Sequence, residues 1–164
     1  MDSAATAFAA LLEHVLPPRT AQDLSGIWEF VATPAANLPP AADAAWRPVL
    51  VPDQHRALFG REGRGWFRRQ FASPKLPEGG RAELAFENVV DTCDVYVNGV
   101  HVGRHVGDWT AFRFDVTEAL KPAGENELLV GVIAPWNGEP ATDRPVAWLW
   151  FAAEFTGLTY PVHL

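Results

Sequence analysis

The chain has 164 residues, a formal net charge of −7 and a single cysteine. The acidic balance argues against nucleic acid or an anionic membrane as partner, because both need a basic face. One cysteine excludes an internal disulfide, no run of about 18 apolar residues offers a membrane span, and the length fits one domain with a sizeable core.

The first element in chain order is an arm, residues 1–18. Phe8, Leu11, Leu12 and Val15 recur at helical spacing, and Pro17-Pro18 stops the pattern, so a short amphipathic helix is expected. Its apolar stripe suits docking on the rest of the chain or on a neighbouring domain better than it suits the alternative, a membrane surface. No Lys or Arg precedes the apolar stretch and Asp2 is acidic, so no secretory signal is visible. The compartment stays open, and is cytoplasmic if this N-terminus is native.

Residues 19–164 read as β-structure. Strands are expected at Gly26–Val31, Pro48–Val51, Gly65–Phe71, Arg81–Phe86, Cys93–Val97, Val100–His105, Ala111–Asp115, Glu127–Ile133, Val146–Phe151 and Leu158–Leu164. Pro34 to Ala45 and Glu139 to Pro145 read as loops, and Asp115 to Leu120 as a strand end entering one helical turn. Many short strands with 13 Gly and 14 Pro between them argue for an all-β sandwich or barrel. Seven Trp and ten Phe supply a large aromatic core. Apolar residues crowd Glu127–Ile133 without alternating, so that strand is expected to be covered on both faces.

Asp91 to Thr117 is the most informative stretch. Cys93, Val95 and Val97 alternate with Thr92, Asp94 and Tyr96, giving a strand with one buried face and an unreactive core thiol. Asn98-Gly99 supplies the two positive-φ positions of a type I′ hairpin turn, expected to be exposed to solvent. Phe112 and Phe114 share a face of the next strand. His101 and His105 are placed on one strand face, separated by about 13 Å along the strand. That is too far for one zinc ion with bonds of about 2.0 Å.

Catalytic templates are missing. No G-x-S-x-G surrounds Ser3, Ser25 or Ser73. The Gly60–Gly65 loop, GREGRG, lacks the strand–loop–helix setting of a nucleotide motif. Glycoside hydrolysis needs two carboxyl groups roughly 5–10 Å apart, and none of the 20 acidic residues sits in a recognisable setting for it. No catalytic residue, metal ligand or cofactor is assigned.

VYVNGVHVGRHVGDWTAFRFDVT, within 91–117, closely resembles a run in the N-terminal sugar-binding domain of glycoside hydrolase family 2, the family of β-galactosidases, β-glucuronidases and β-mannosidases. LSGIWEF (Leu24 to Phe30), WRPVLVP (Trp46 to Pro52), GWFRRQF (Gly65 to Phe71), AGENELLVGV (Ala123 to Val132) and GLTYPVHL (Gly157 to Leu164) are similar to further segments of that domain, in the same order. Asp108 stands where the family usually has a second glycine, and Tyr160 where it usually has arginine. The resemblance implies a jelly-roll β-sandwich of galactose-binding type with a short N-terminal helix. It implies a non-catalytic piece of a retaining exo-β-glycosidase, whose catalytic glutamates lie in a separate (β/α)₈ barrel of about 250 residues. The expected partners are that barrel, an immunoglobulin-like domain and, through the parent enzyme, a carbohydrate substrate. Leu164 falls where the family's sugar-binding domain closes, so a domain boundary is expected there. A free-standing carbohydrate-binding module and a structural or protein-interaction sandwich are the alternatives.

Sugar recognition uses a few convergent polar groups against an apolar wall. In the β-galactosidase branch the loop after VP presents an amide to the sugar, which points to Gln54 within Asp53, Gln54, His55. A second loop offers a carboxylate there, which points to Asp108 beside Trp109. The plainer alternatives are that Asp53 caps a turn, Asp108 accepts backbone N–H bonds and Trp109 belongs to the core. Recognition through both loops requires them to lie at one end of the sandwich. Trp28, Trp46 and Trp66 match core positions of the family. Trp148, Trp150, Phe151 and Phe155 suit a patch facing a neighbouring domain, and Trp136 is unassigned.

Overall fold

The computed structural model describes residues 19–33, 39–59, 64–90, 92–107, 109–133 and 157–164. The expected N-terminal helix, the strand at Val146–Phe151, Trp136 and the aromatic patch of Trp148, Trp150, Phe151 and Phe155 lie outside these residues.

Among the described residues nine strands form: β1 (Gly26–Ala32), β2 (Arg47–Val51), β3 (Arg64–Ala72), β4 (Glu83–Phe86), β5 (Thr92–Val97), β6 (Val100–Val106), β7 (Phe112–Asp115), β8 (Glu125–Ile133) and β9 (Val162–His163). A single helical turn, α1 (Arg56–Phe59), follows β2, and a 3₁₀ turn at Thr117–Ala119 follows β7. One sheet has the order β2-β1-β3-β8-β5-β6, the other β7-β4-β9. All pairings are antiparallel. The chain is an all-β sandwich, as expected.

Register explains the two layers. Phe30 pairs with Phe67, Phe67 with Val130, Val130 with Val95 and Val95 with Gly103. This row faces the core, and its four side chains are fully buried. It ends in glycine for a steric reason. A Cβ on Gly103 would lie 2.2 Å from the ring of Phe114, so the bare backbone admits a ring from the second sheet. Leu84, Phe86 and Val162 close the core from that sheet. On the outer face Trp66 of β3 lies over Gly131 of β8. Two residues along, Arg68 donates to Glu29 at 2.7 Å and stacks on Trp46, with its guanidinium 4.2 Å from the ring centroid. Trp28 and Trp66 are therefore buried as expected, whereas Trp46 is half-buried under Arg68. β8 is covered on both faces from Leu128 to Val132.

Several expectations need correction. His101 and His105 do not share a face. The β5–β6 register shifts between Val95 and Tyr96, with Val95 opposite Gly103 and Tyr96 opposite His101. An extra residue, Val102, therefore inverts the alternation, as a bulge does. His101 meets Asp94 and Tyr96, while His105 stacks on Phe112 of the second sheet at 3.9 Å. The expected strand Leu158–Leu164 is regular only at Val162–His163, because the chain before it is tied across to other loops. The hairpin turn has the expected positive φ at Asn98 (50°) and Gly99 (81°). Its Asn98 side chain is half-buried, not free in solvent: it donates to the Ala119 carbonyl and to Asn126, and accepts from the Glu127 N–H. α1 was not foreseen, since its four residues are too few to show a helical period. No helix among the described residues is long and apolar enough to cross a membrane.

Candidate functional site

β2 ends on the buried Val51, and the chain then turns outward through Pro52, Asp53 and Gln54. Asp53 Oδ1 accepts the Gln54 N–H at 2.7 Å, and the Asp53 N–H donates to the Leu158 carbonyl at 3.2 Å. Both side chains are exposed. His55 turns inward and is only 2% exposed. Its Nε2–H donates to the Leu50 carbonyl at 2.7 Å, and its ring meets Phe67 edge-on at 4.9 Å. That bond requires the proton on Nε2, so in the neutral ring Nδ1 is bare. Burial holds the ring's pKa below its ordinary value, against the opposing pull of the Leu50 carbonyl and of Asp53. His55 is thus an anchor: it and Phe59, at the end of α1, fasten the loop to the core while Asp53 and Gln54 stay outside.

The second loop joins β6 to β7. Gly107 has φ 140° and Trp109 has φ 61°. A left-handed conformation is costly for a bulky residue and persists only where its surroundings hold it. Here the Trp109 N–H donates to Asn88 Oδ1 at 2.8 Å. The Trp109 side chain is 48% exposed, so it is not a core residue. At the base of the loop, His105 Nε2 lies 3.0 Å from Thr110 Oγ1, and its ring is stacked on Phe112. Burial lowers the pKa of His105, partly offset by the Gly107 backbone. Asp108 lies outside the described residues.

The two loops are linked at one rim through a shared segment and one side chain. Asn88 is 3% exposed and uses both ends of its amide: Oδ1 takes the Trp109 N–H, and Nδ2 donates to Thr159 Oγ1 at 3.1 Å. Thr159 follows Leu158, whose carbonyl holds Asp53. Gly157 exchanges two backbone bonds with Val90, of 2.7 and 3.1 Å. It also lies against His55, where a Cβ would come within 2.7 Å of Nδ1. The segment Gly157–Thr159 therefore bonds the first loop directly and reaches the second through Asn88. Tyr160, where the resemblance expects arginine, follows it and is 45% exposed.

Asn88 and Thr159 were missed in the sequence. The signal available was weak: a polar residue directly before the apolar pair Val89-Val90. Among the described residues no three His, Cys, Asp or Glu side chains converge as a metal site would require.

A small antiparallel sandwich with polar and aromatic loops gathered at one rim defines a galactose-binding-like domain. Residues 51–153 match the family described as "Glycosyl hydrolase 2 galactose-binding domain-like". The chain belongs to this family. It is 30% identical over 138 residues to a β-glucuronidase of Paenibacillus borealis, a match covering 74% of this chain and 23% of that protein. It is 27% identical over 136 residues to a putative β-glucuronidase of Formosa agariphila, covering 77% of this chain and 16% of that one. The solved structure of Bifidobacterium dentium β-glucuronidase, complexed with coumarin-3-O-glucuronide, superposes with a TM-score of 0.68 at 27% identity, over 90% of this chain and 30% of that one. The chain thus spans less than a third of the length of each of these relatives.

Proposed function

We propose that this chain is the non-catalytic N-terminal domain of a family 2 glycoside hydrolase. It buttresses a catalytic barrel, with an immunoglobulin-like domain between them in sequence, and lends rim loops to the recognition of a β-glycoside. Asp53, Gln54 and Asp108 supply polar contacts, Trp109 an aromatic face for the apolar side of a pyranose, and His55 the anchor of the first loop. One observation carries the reading: the linked bonds Asp53–Leu158 and Thr159–Asn88–Trp109 bring two loops, chosen separately from the sequence, to the same rim. The names of the relatives make β-glucuronides the first substrates to test.

A site with one wall leaves most of a ligand in water, so the isolated chain binds sugar weakly, with a Kd of roughly millimolar or above. It does not hydrolyse aryl β-glucuronides, because the chemistry needs a positioned pair of carboxyl groups. The test is to express the complete natural reading frame. Trp109→Ala and Asp108→Ala should each lower kcat/KM on an aryl β-glycoside by roughly tenfold or more, the loss of about one good contact. Unchanged kcat/KM in both variants, or micromolar sugar binding by the isolated chain, would overturn the proposal.

A further inference from the structure

We infer that Asn88 is a positioning residue that locks the two rim loops into one unit and sets the backbone of Trp109. The role in ligand recognition rests on the reading above, while the mechanical role stands on geometry alone. Asn88 is too buried to touch a ligand, yet it is the polar side chain that joins β4's exit to both the β6–β7 loop and the Gly157–Thr159 segment. A primary amide suits this position because it offers an acceptor and a donor on one rigid plane. Oδ1 satisfies the Trp109 N–H, and Nδ2 meets the Thr159 hydroxyl.

The bond to Trp109 has a specific consequence. A left-handed φ of 61° is costly for a bulky residue, so release of its N–H removes one of the contacts that hold Trp109 there and favours an extended or right-handed conformation. Such a reversal swings the indole away from the rim. Because Thr159 directly follows Leu158, which holds Asp53, a displacement of the Asp53–Gln54 loop is felt at Asn88 and so at Trp109. The ligand class follows from the display: an exposed indole on one loop, with an exposed amide and carboxylate on the loop linked to it, suits the C–H face of a pyranose carrying polar substituents at its edge.

Amide hydrogen exchange and ¹H–¹⁵N NMR on this chain test the inference, with methyl β-D-glucuronide at tens of millimolar as the probe. Asn88→Ala should speed exchange of the Trp109 amide by roughly tenfold or more, as expected for loss of a local bond, with the Val95 and Val130 amides unchanged. Asn88→Asp should restore protection of the Trp109 amide. Its carboxyl keeps the acceptor, and the Thr159 hydroxyl can turn to donate to it. Thr159→Val should leave the Trp109 bond in place but shift the Asp53 and Trp109 amide resonances together. Should Asn88→Ala not fold, the Asn88→Asp and Thr159→Val results decide the matter.

Trp109 exchange unchanged in Asn88→Ala, or matched by equal loosening of Val95 and Val130, would overturn the inference. So would a Thr159→Val shift confined to one loop. In the native chain the probe should shift the Trp109 indole resonance, and Asn88→Ala should abolish that shift while Asn88→Asp keeps it. Absence of any native shift would sink the sugar-recognition reading, and the exchange data would still decide the role of Asn88.

Discussion

The side-chain amide of Asn98 donates to Oδ1 of Asn126 at 2.7 Å, fastening the β5–β6 hairpin turn to the start of β8. Asn126 is fully buried and is itself held by Ser73 and by the Lys121 N–H. A type I′ turn needs a residue that tolerates positive φ, and glycine would serve that need as well as asparagine. The three side-chain bonds of Asn98 explain why asparagine stands there. Asn98→Gly should therefore preserve the hairpin and still destabilise the chain by about 1–3 kcal/mol, since it removes three bonds to the buried Asn126 and the half-buried backbone of Ala119 and Glu127. Urea unfolding measures this, and a change below about 0.5 kcal/mol would mean the bonds contribute nothing net.

Two glycines should fail for different reasons. A Cβ on Gly99 meets nothing within 4 Å, but the residue sits at φ 81°, so Gly99→Ala should cost about 1 kcal/mol through backbone strain alone. At Gly103 the obstacle is Phe114, whose ring a Cβ would approach to 2.2 Å. Gly103→Ala should cost about 1–3 kcal/mol by overpacking. Adding Phe114→Leu should recover part of that loss, whereas it should recover none in the Gly99→Ala background. A double-mutant cycle by thermal or urea unfolding separates the two.

Cys93 is fully buried between the sheets, and burial pushes its thiol up to about 12. The thiolate is the reactive form. The native chain should therefore resist an aromatic disulfide reagent at pH 8 and react within minutes in denaturant. Rapid native labelling would show that the sandwich opens locally at β5.

Stability should fall as the solution is acidified below about pH 6.5. His55 and His105 both have pKa values held below the ordinary histidine value, chiefly by burial. The unfolded chain then binds more protons than the folded one. Stability is complete above the unfolded pKa and is lost as pH falls through the lower, folded pKa. His55→Gln keeps a donor for the Leu50 carbonyl and removes the titration, so its unfolding free energy should be flatter between pH 6.5 and 4. An identical slope in the variant would exclude His55 as a source. Asp23 and Asp115, whose carboxyls are held low by bonds to Ser25 and Thr117, add a further loss at more acidic pH.

The strands, the hairpin turn and the all-β class were legible in the sequence. Alternation in β5, the apolar run in β8 and the Asn98-Gly99 turn are local signals, and each maps onto an element the structure contains. The family, too, was legible, because its motifs are runs of neighbouring residues. How the rim is held became visible only in the folded chain. Asn88 lies 21 residues from Trp109 and 71 from Thr159, and no periodicity relates residues so far apart. The same limit explains the histidines of β6. Their shared face followed from ideal alternation, and the bulge at Val102 that parts them is set by register against β5, which requires the partner strand. Local chemistry fixes which residues can be strand, turn or core. Which side chains then close a hydrogen-bond chain across the fold depends on packing, and packing alone brought Asp53 and Trp109 to one rim.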